Sequence, residues 1–269
     1  MIDLALQGVG STPAVPKTRI EPSCSAFARS VFRTVILGIM FLGAGLDYLV
    51  TTRGTSLGNR AHWLHRWSKR CARLLGMHFS RNGIAPLTGL VVANHLGYLD
   101  IIALSATTPS IFVAKNDVSR WPILGAFASI AGTIFIDRTH RHNVRQTAAE
   151  LKAVLATGLV VVVFPEGTSS DGRDVLPFKS SLLQPACEGA IPVTAVAIDY
   201  SLAKGSVGNL VCYWGEMTLL PHLLKLLTLR RIGVLLSFGT AANLDSPRKA
   251  LAVQLRQEIV ALRKANTVI

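Results

Sequence analysis

A histidine and an aspartate stand five positions apart in Asn94-His95-Leu96-Gly97-Tyr98-Leu99-Asp100, directly after the apolar run Leu90-Val91-Val92-Ala93. These residue types suit acyl transfer. A neutral imidazole within hydrogen-bond reach of a hydroxyl can remove its proton as the new C–O bond forms. A carboxylate can hold the ring in the tautomer that leaves the other nitrogen unprotonated. Five positions turn about 500° around an ideal helix, so the two residues do not share a helical face. The spacing predicts His95 at or before a helix start and Asp100 one turn in. The plainer alternative is a polar loop whose Asp100 caps the next helix. A second segment, Phe164-Pro165-Glu166-Gly167-Thr168, follows the apolar run Leu159 to Val163. It lies at a strand end, where open α/β sheets place ligands. Between them lies Gly132-Thr133-Ile134-Phe135-Ile136-Asp137-Arg138, and Ile191-Pro192-Val193 follows. No seryl or cysteinyl nucleophile motif is visible, which favours direct attack over an acyl-enzyme.

These four blocks, in this order and spacing, resemble the glycerolipid acyltransferase family, whose members include the 1-acylglycerol-3-phosphate acyltransferases. The likeness runs from about Leu87 to Tyr200 and more weakly to Ala242. The resemblance implies attack of a lysolipid hydroxyl on an acyl thioester, with His95 as general base and Asp100 as its partner. It carries acceptor binding over to Glu166, Gly167 and Thr168. Arg138, which ends the third block, and Lys115, which follows the strand-like run Ile111–Ala114, become candidate phosphate-binding cations. The co-substrate is acyl-CoA or an acyl carrier protein, with no further cofactor and no metal. The first acceptor implied is 1-acylglycerol-3-phosphate, and the alternatives are a lyso-ornithine lipid or another lysophospholipid. Many lysophosphatidate-using members carry an arginine directly after Glu-Gly-Thr, whereas this chain has Ser169-Ser170-Asp171. That removes a cation expected at a terminal phosphate and favours an acceptor needing less charge there. A silent lipid-binding or scaffold protein is the rival of another class, and retention of both His95 and Asp100 argues against it.

Composition bounds the partners. Half of the 269 residues are hydrophobic, 16% are charged, and mean hydropathy is +0.41. Apolar surface in that amount is accommodated most simply by membrane contact. Lys plus Arg is 28 against 15 for Asp plus Glu, a net charge of +13. Such an excess implies an anionic partner. An anionic membrane surface and an acidic acyl carrier both qualify. Nucleic acid does not, because no aromatic stacking platform or nucleic-acid motif accompanies the cations. Cys24, Cys71, Cys187 and Cys212 are scattered, without a zinc or disulfide pattern, and read as reduced thiols.

The elements that must position the chemistry begin with residues 1–26, rich in Gly, Pro and Ser, expected as a flexible arm. Residues 27–80 are expected as a membrane-associated helical region. Phe27–Val50 is strongly apolar, but its charge-free core, Thr34 to Leu46, is shorter than the ~20 residues of a spanning helix. A tilted span, an in-plane helix and a soluble core helix all remain open. Next comes a basic stretch from Arg53 to Arg73, with Trp63 and Trp67 on a helical stripe. A basic helix with tryptophans suits a lipid headgroup layer, and its cations would mark the cytosolic side of a bacterial cell membrane. Residues 81–269 are expected as the acyltransferase domain. Strand-like runs occur at Leu90–Ala93, Ile111–Ala114, Thr133–Ile136, Leu159–Phe164, Ile191–Ile198, Leu210–Tyr213 and Ile232–Phe238. Helical stripes pass through Val144, Ala148, Leu151 and Leu155, and through Leu251, Leu255, Ile259 and Leu262, the latter with Ser246 as N-cap. The alternation predicts an α/β fold: a mostly parallel sheet of about seven strands flanked by helices, with an N-terminal membrane-associated helical segment. Leu219–Arg231, apolar and edged by cations, fits a buried helix or a membrane-lying edge.

Overall fold

The computed structural model describes residues 24–136, 141–242 and 247–267, with backbone alone at 141–146, 241 and 267. Arg138, Ser246 and residues 1–23 of the expected arm lie outside the described residues. Helix α1 (Cys24–Asp47) runs into a π-helical turn, Tyr48–Thr52. Helix α2 (Leu57–Leu75) starts at Ser56, whose hydroxyl accepts the Asn59 N–H, and stops at Gly76, where φ is 71°. There follow β1 (Met77–Asn82), β2 (Gly89–Ala93), α3 (Leu99–Thr107), β3 (Ser110–Lys115), α4 (Leu124–Ile130), β4 (Ile134–Ile136), α5 (Arg141–Ala156) and β5 (Val160–Val163). The chain continues through α6 (Gln184–Gly189), β6 (Val193–Ser201), α7 (Val207–Leu210), α8 (Leu219–Thr228), β7 (Ile232–Ala241) and α9 (Arg248–Thr267).

The strands form one seven-stranded sheet in the order β1-β7-β6-β2-β5-β3-β4. Among the described residues only the β6–β7 pair is antiparallel. β2 and β5 are buried along their whole length, as sheet-centre strands covered on both faces must be. Alternate side chains feed two apolar layers. Val91 and Ala93 pack with Leu99, Ala103, Leu226 and Leu227 of α3 and α8. Leu90 and Val92 pack with Leu151, Leu155, Leu251, Leu255 and Ile259 of α5 and α9.

Two expectations about strands need correction. Leu210–Tyr213 is not a strand but the end of α7 and the turn after it. It touches the site loop by one backbone bond, Tyr213 N–H to Leu96 O at 2.8 Å. The strand that replaces it, β1, was hidden because it lies at the sheet edge and buries Met77 alone of its six residues.

The tryptophans also sit elsewhere than expected. Trp63 is 1% exposed and donates its indole N–H to Ala44 O at 3.2 Å. Its ring stacks on Phe127 of α4. Trp67 donates to Asp47 Oδ2 at 2.7 Å, and that carboxylate also takes Arg66 at 3.2 Å. The indoles therefore clamp α1, α2 and α4 together, and Trp63, being buried, cannot reach a headgroup layer.

The face α1 turns outward is apolar. Phe27, Val31, Val35, Ile39, Leu42 and Leu46 are exposed and recur at intervals of three or four residues, a helical stripe that Val50 of the following π-turn extends, with Phe32 and Leu49 exposed beside it. The opposite face docks on α8. Arg29 donates to Thr228 O at 2.6 Å, and Arg33 donates to Leu227 O at 3.3 Å and to Leu229 O, so two cations meet the carbonyls ending α8. α8 itself buries His222, Leu226 and Leu227 and exposes Leu220 and Leu224. An exposed apolar stripe of this extent suits contact with a membrane or a partner. The Cys24–Thr52 segment is also long and apolar enough to cross a membrane.

Two outcomes separate the clamp from the membrane face. Trp63→Ala should destabilise the fold by about 3–5 kcal/mol, the usual result of emptying a buried aromatic site, read by denaturant unfolding. A change of under about 1 kcal/mol would mean that Trp63 is not core. Leu42→Asp with Leu46→Asp should leave unfolding nearly unchanged and shift the protein from the liposome pellet to the supernatant. Full retention in the pellet would move the contact face away from α1.

Candidate active site

β2 and β5 are parallel neighbours, with Val92 opposite Val163. Continuing that register three residues beyond this pair sets His95 opposite Glu166. The structure closes the pair with a hydrogen bond: His95 N–H donates to Glu166 Oε1 at 2.7 Å. On the other flank of β2, Asn94 is buried and imitates a strand partner. Its amide donates to Ile198 O at 3.0 Å and accepts the Ile198 N–H at 2.8 Å. The backbone that presents His95 is thus tied to both neighbouring strands.

His95 lies in the loop before α3, and Asp100 lies in the helix's first turn, as the spacing predicts. Asp100 is fully buried. Its Oδ2 accepts from His95 Nδ1 at 2.8 Å, Leu96 N–H at 2.6 Å and Gly97 N–H at 3.0 Å. Its Oδ1 accepts the Tyr200 hydroxyl at 2.8 Å. An ionised carboxylate can only accept, so Nδ1 carries the proton and Nε2 is left as the basic nitrogen. The His95 ring stacks on Phe164, with centroids 4.1 Å apart, and its side chain keeps 22% exposure. That combination fixes the ring while leaving an approach to it. Asp100 thus caps the loop and orients the imidazole at once, so both readings of its position hold together. The loop passes so close to its neighbour that a Cβ on Gly97 would sit 2.8 Å from Tyr213 N, and only glycine fits.

Glu166 is buried, and both its oxygens hold backbone: Oε1 the His95 N–H, and Oε2 the Leu176 N–H at 2.9 Å. Burial pushes its carboxyl up from the ordinary value, and those two N–H donors pull it back down. Glu166 acts here on the shape of the site, joining the loop after β5 to the loop after β2. Gly167 makes the turn, at φ 72°, with its N–H on Phe164 O at 3.1 Å. Thr168 follows it, exposed. Ser169 donates its hydroxyl to Tyr213 O at 2.5 Å, and Ser170 N–H reaches His95 O at 3.0 Å. Lys115 ends β3, exposed, on the same rim of the sheet. Arg138 was expected to join it and lies outside the described residues.

Three residues of the site escaped the sequence reading. Tyr200 completes the Asp100 shell from β6, a hundred residues away, and nothing local to it signals this. Tyr98 and His222 are the others. Burial pushes the Tyr98 hydroxyl up and the His222 imidazole down from their ordinary values, so both are neutral. Tyr98 therefore donates to His222 Nδ1, at 2.9 Å. That bond fastens the His95–Asp100 loop to α8, the helix on which α1 docks. Cys212, the buried thiol near this loop, is pushed up to about 12, chiefly by burial, and so cannot serve as a thiolate nucleophile.

Tyr200→Phe strands one buried carboxylate oxygen without its donor. The cost expected is about 1–3 kcal/mol, seen as a roughly five- to hundredfold fall in kcat with little change in KM. Wild-type kcat would remove Tyr200 from the site. Glu166→Gln keeps the volume, yet one amide atom must then face a backbone N–H as a donor. A loss of similar size in kcat is expected, and an unimpaired variant would show that the two loops are joined by other means.

This arrangement can be set beside known proteins. A family model described as Acyltransferase matches residues 78–199, which span β1 to β6. The lyso-ornithine lipid O-acyltransferase of Rhizobium meliloti is 33% identical over 216 residues, 73% of this chain and 73% of that protein. That of Brucella abortus is 35% identical over 209 residues, 71% of this chain and 78% of that one. The 1-acyl-sn-glycerol-3-phosphate acyltransferase of Neisseria gonorrhoeae is 39% identical over 134 residues, 46% of this chain and 52% of that one. The crystal structure of the 1-acyl-sn-glycerophosphate (LPA) acyltransferase of Thermotoga maritima superposes with a TM-score of 0.60 at 20% identity, covering 88% of this chain and 95% of that one. At that identity the likeness speaks for the fold. Relatives matched over most of both chains, and a family model lying across the strands that carry His95 and Glu166, make this chain a member of the acyltransferase family.

Proposed function

We propose that this enzyme transfers an acyl chain from an acyl thioester directly to the free hydroxyl of a lysolipid, with His95 as base. The observation that carries the reading is the imidazole whose Nδ1 is committed to a buried carboxylate, at 2.8 Å. Nε2 takes the acceptor's hydroxyl proton while its oxygen attacks the thioester carbonyl. The C–S bond then breaks, and the leaving sulfur takes that proton from the imidazolium. Asp100 stabilises the imidazolium between the two steps without being protonated itself. No metal is needed for either step. The donor is an acyl thioester of coenzyme A or of an acyl carrier protein.

For the acceptor, a lyso-ornithine lipid is the reading favoured. Ser169 stands where a phosphate-binding arginine is common, its hydroxyl is turned to Tyr213 O, and Asp171 two residues on is acidic. The relatives of Rhizobium and Brucella carry that activity in their names. Lysophosphatidate is the second reading, favoured by Lys115 on the same rim and by the Neisseria relative. Gly167, Thr168 and Arg138 complete the acceptor side in either case. The α1 stripe holds the enzyme to the membrane, and the cations from Arg53 to Arg73 set it on the cytosolic face of anionic lipid.

His95→Ala should lower thiol release by ~10²–10⁴ with folding and liposome binding intact, and near wild-type turnover would overturn the mechanism. Ser169→Arg should raise kcat/KM on lysophosphatidate relative to lyso-ornithine lipid. An unchanged ratio would show that position 169 does not reach the headgroup. A wild-type enzyme that acylates lysophosphatidate and leaves lyso-ornithine lipid untouched would reverse the order of the two acceptors.

A further inference from the structure

Asp199 and Tyr200 are consecutive on β6 and so point to opposite faces of the sheet. Tyr200 takes its hydroxyl to Asp100. Asp199 turns to α9, where its Oδ1 accepts from Arg263 Nε at 2.8 Å and its Oδ2 from Asn266 Nδ2 at 2.8 Å. The guanidinium has a second contact. Its Nη2 donates to Gly172 O at 2.6 Å, in the loop that follows Thr168. The Arg263 and Asp199 side chains are largely withdrawn from water, 18% and 22% exposed. A carbonyl bonded to so sheltered a cation is held more firmly than one bonded to a solvated cation.

From Gly172 the connection runs on to the base. Gly172 N–H donates to Ser170 Oγ at 3.3 Å, and Ser170 N–H donates to His95 O at 3.0 Å. A Cβ on Gly172, whose φ is 80°, would stand 3.1 Å from Leu96 Cδ2, so this turn lies against the residue after His95. Arg256 stands two helical turns before Arg263 on α9 and so on the same face. It donates to Val175 O from Nε and Nη2, at 2.9 and 2.6 Å, and to Leu176 O at 3.2 Å. The two arginines thus grip both ends of the strap from Gly172 to Leu176, whose Leu176 N–H donates to Glu166.

We propose that Arg263 is a positioning residue for the acceptor. Fixed by Asp199, it sets where Ser169–Asp171 stand beside His95 and so governs affinity for the acceptor headgroup. The imidazole has anchors of its own: Asp100, the Glu166 bond to its backbone and the Phe164 ring. The loop is held more lightly. Ser169 Oγ reaches Tyr213 O, Ser170 N–H reaches His95 O, and Cys212 Sγ makes a long contact to Asp171 O, at 3.5 Å. Loosening the Arg263 contact therefore shifts the loop more than the base. The inference rests on the lysolipid-acceptor reading above and adds to it a residue outside the site that tunes it.

The test uses the full chain on phosphatidylglycerol vesicles, with Arg263→Lys and, as a control, Asn266→Ala. Lysine keeps the charge opposite Asp199, but one ammonium nitrogen cannot reproduce the fork that spans Asp199 and Gly172. Asn266→Ala weakens the hold on the same carboxylate without removing the Gly172 contact. In Arg263→Lys, KM for the preferred acceptor, lyso-ornithine lipid or lysophosphatidate, should rise about tenfold, as for the loss of one charge-assisted hydrogen bond. Donor KM and kcat should be nearly kept. In Asn266→Ala the Tm should fall and the acceptor KM should stay at its wild-type value. Asp199→Asn should raise the same KM, and it decides the matter if the lysine variant does not fold. An unchanged acceptor KM would overturn the proposal. So would a fall in kcat with every KM kept, which would place the effect on His95. An equal rise of acceptor KM in Asn266→Ala would also overturn it, reducing Arg263 to a support of the fold. A wild type that acylates no lysolipid would instead defeat the acyl-transfer reading. Calorimetric affinity for lyso-ornithine lipid in mixed micelles would then decide Arg263. Binding about tenfold weaker in Arg263→Lys would sustain it, and equal affinity, or none in either protein, would overturn it.

Discussion

A carboxylate with no solvent exposure dictates the form of this enzyme's centre. Removing the Asp100 charge from water costs several kcal/mol unless donors replace the lost hydration. Four donors do so: the His95 ring, the Leu96 and Gly97 backbones, and the Tyr200 hydroxyl. Three come from one turn of chain, so the loop must wrap the carboxylate. Wrapping it leaves His95 Nδ1 no other place to point. The tautomer that makes Nε2 a base follows from satisfying a buried charge.

Sheet register carries that constraint outward. The central strands β2 and β5 deliver His95 and Glu166 side by side. Glu166 then passes the connection to Leu176, and Arg256 of α9 holds the same strap. On the opposite side, Tyr98 and His222 link the loop to α8, and Arg29 and Arg33 link α8 to the helix with the apolar stripe. The exposed apolar face of α1 and the contacts of α9 thus lie on opposite sides of one loop.

Much of this was legible from the residues. Apolar runs four to eight residues long, alternating with helical stripes, identify the buried strands β2 to β7, because a parallel sheet covered on both faces needs continuous apolar segments. The offset of Asp100 from His95 gives the loop-then-helix geometry without any structure. β1 could not be found this way, since an edge strand with one buried side chain carries no apolar pattern. Leu210–Tyr213 misled for the opposite reason: it is apolar because it packs under the site loop. Trp63 and Trp67 looked like membrane-boundary residues beside so many cations, yet Trp63 is buried with its N–H on Ala44 O, and the half-buried Trp67 gives its N–H to Asp47. Tyr200 and His222 were out of reach, because their partners lie 100 and 124 residues away in the chain and only the fold brings them together.

The most direct measurement is the ¹⁵N NMR spectrum of the His95 ring in the resting enzyme at neutral pH, assigned by its loss in the His95→Ala protein. A buried Asp100 that collects the Nδ1 proton predicts that the uncharged form of the ring carries its one proton on Nδ1 and shows an Nε2 shift typical of an unprotonated nitrogen. The Nδ1 proton should be displaced downfield by its bond to the carboxylate. A ring protonated at Nε2 and bare at Nδ1 would contradict the account, because the nitrogen facing the acceptor would then have no capacity to take its proton.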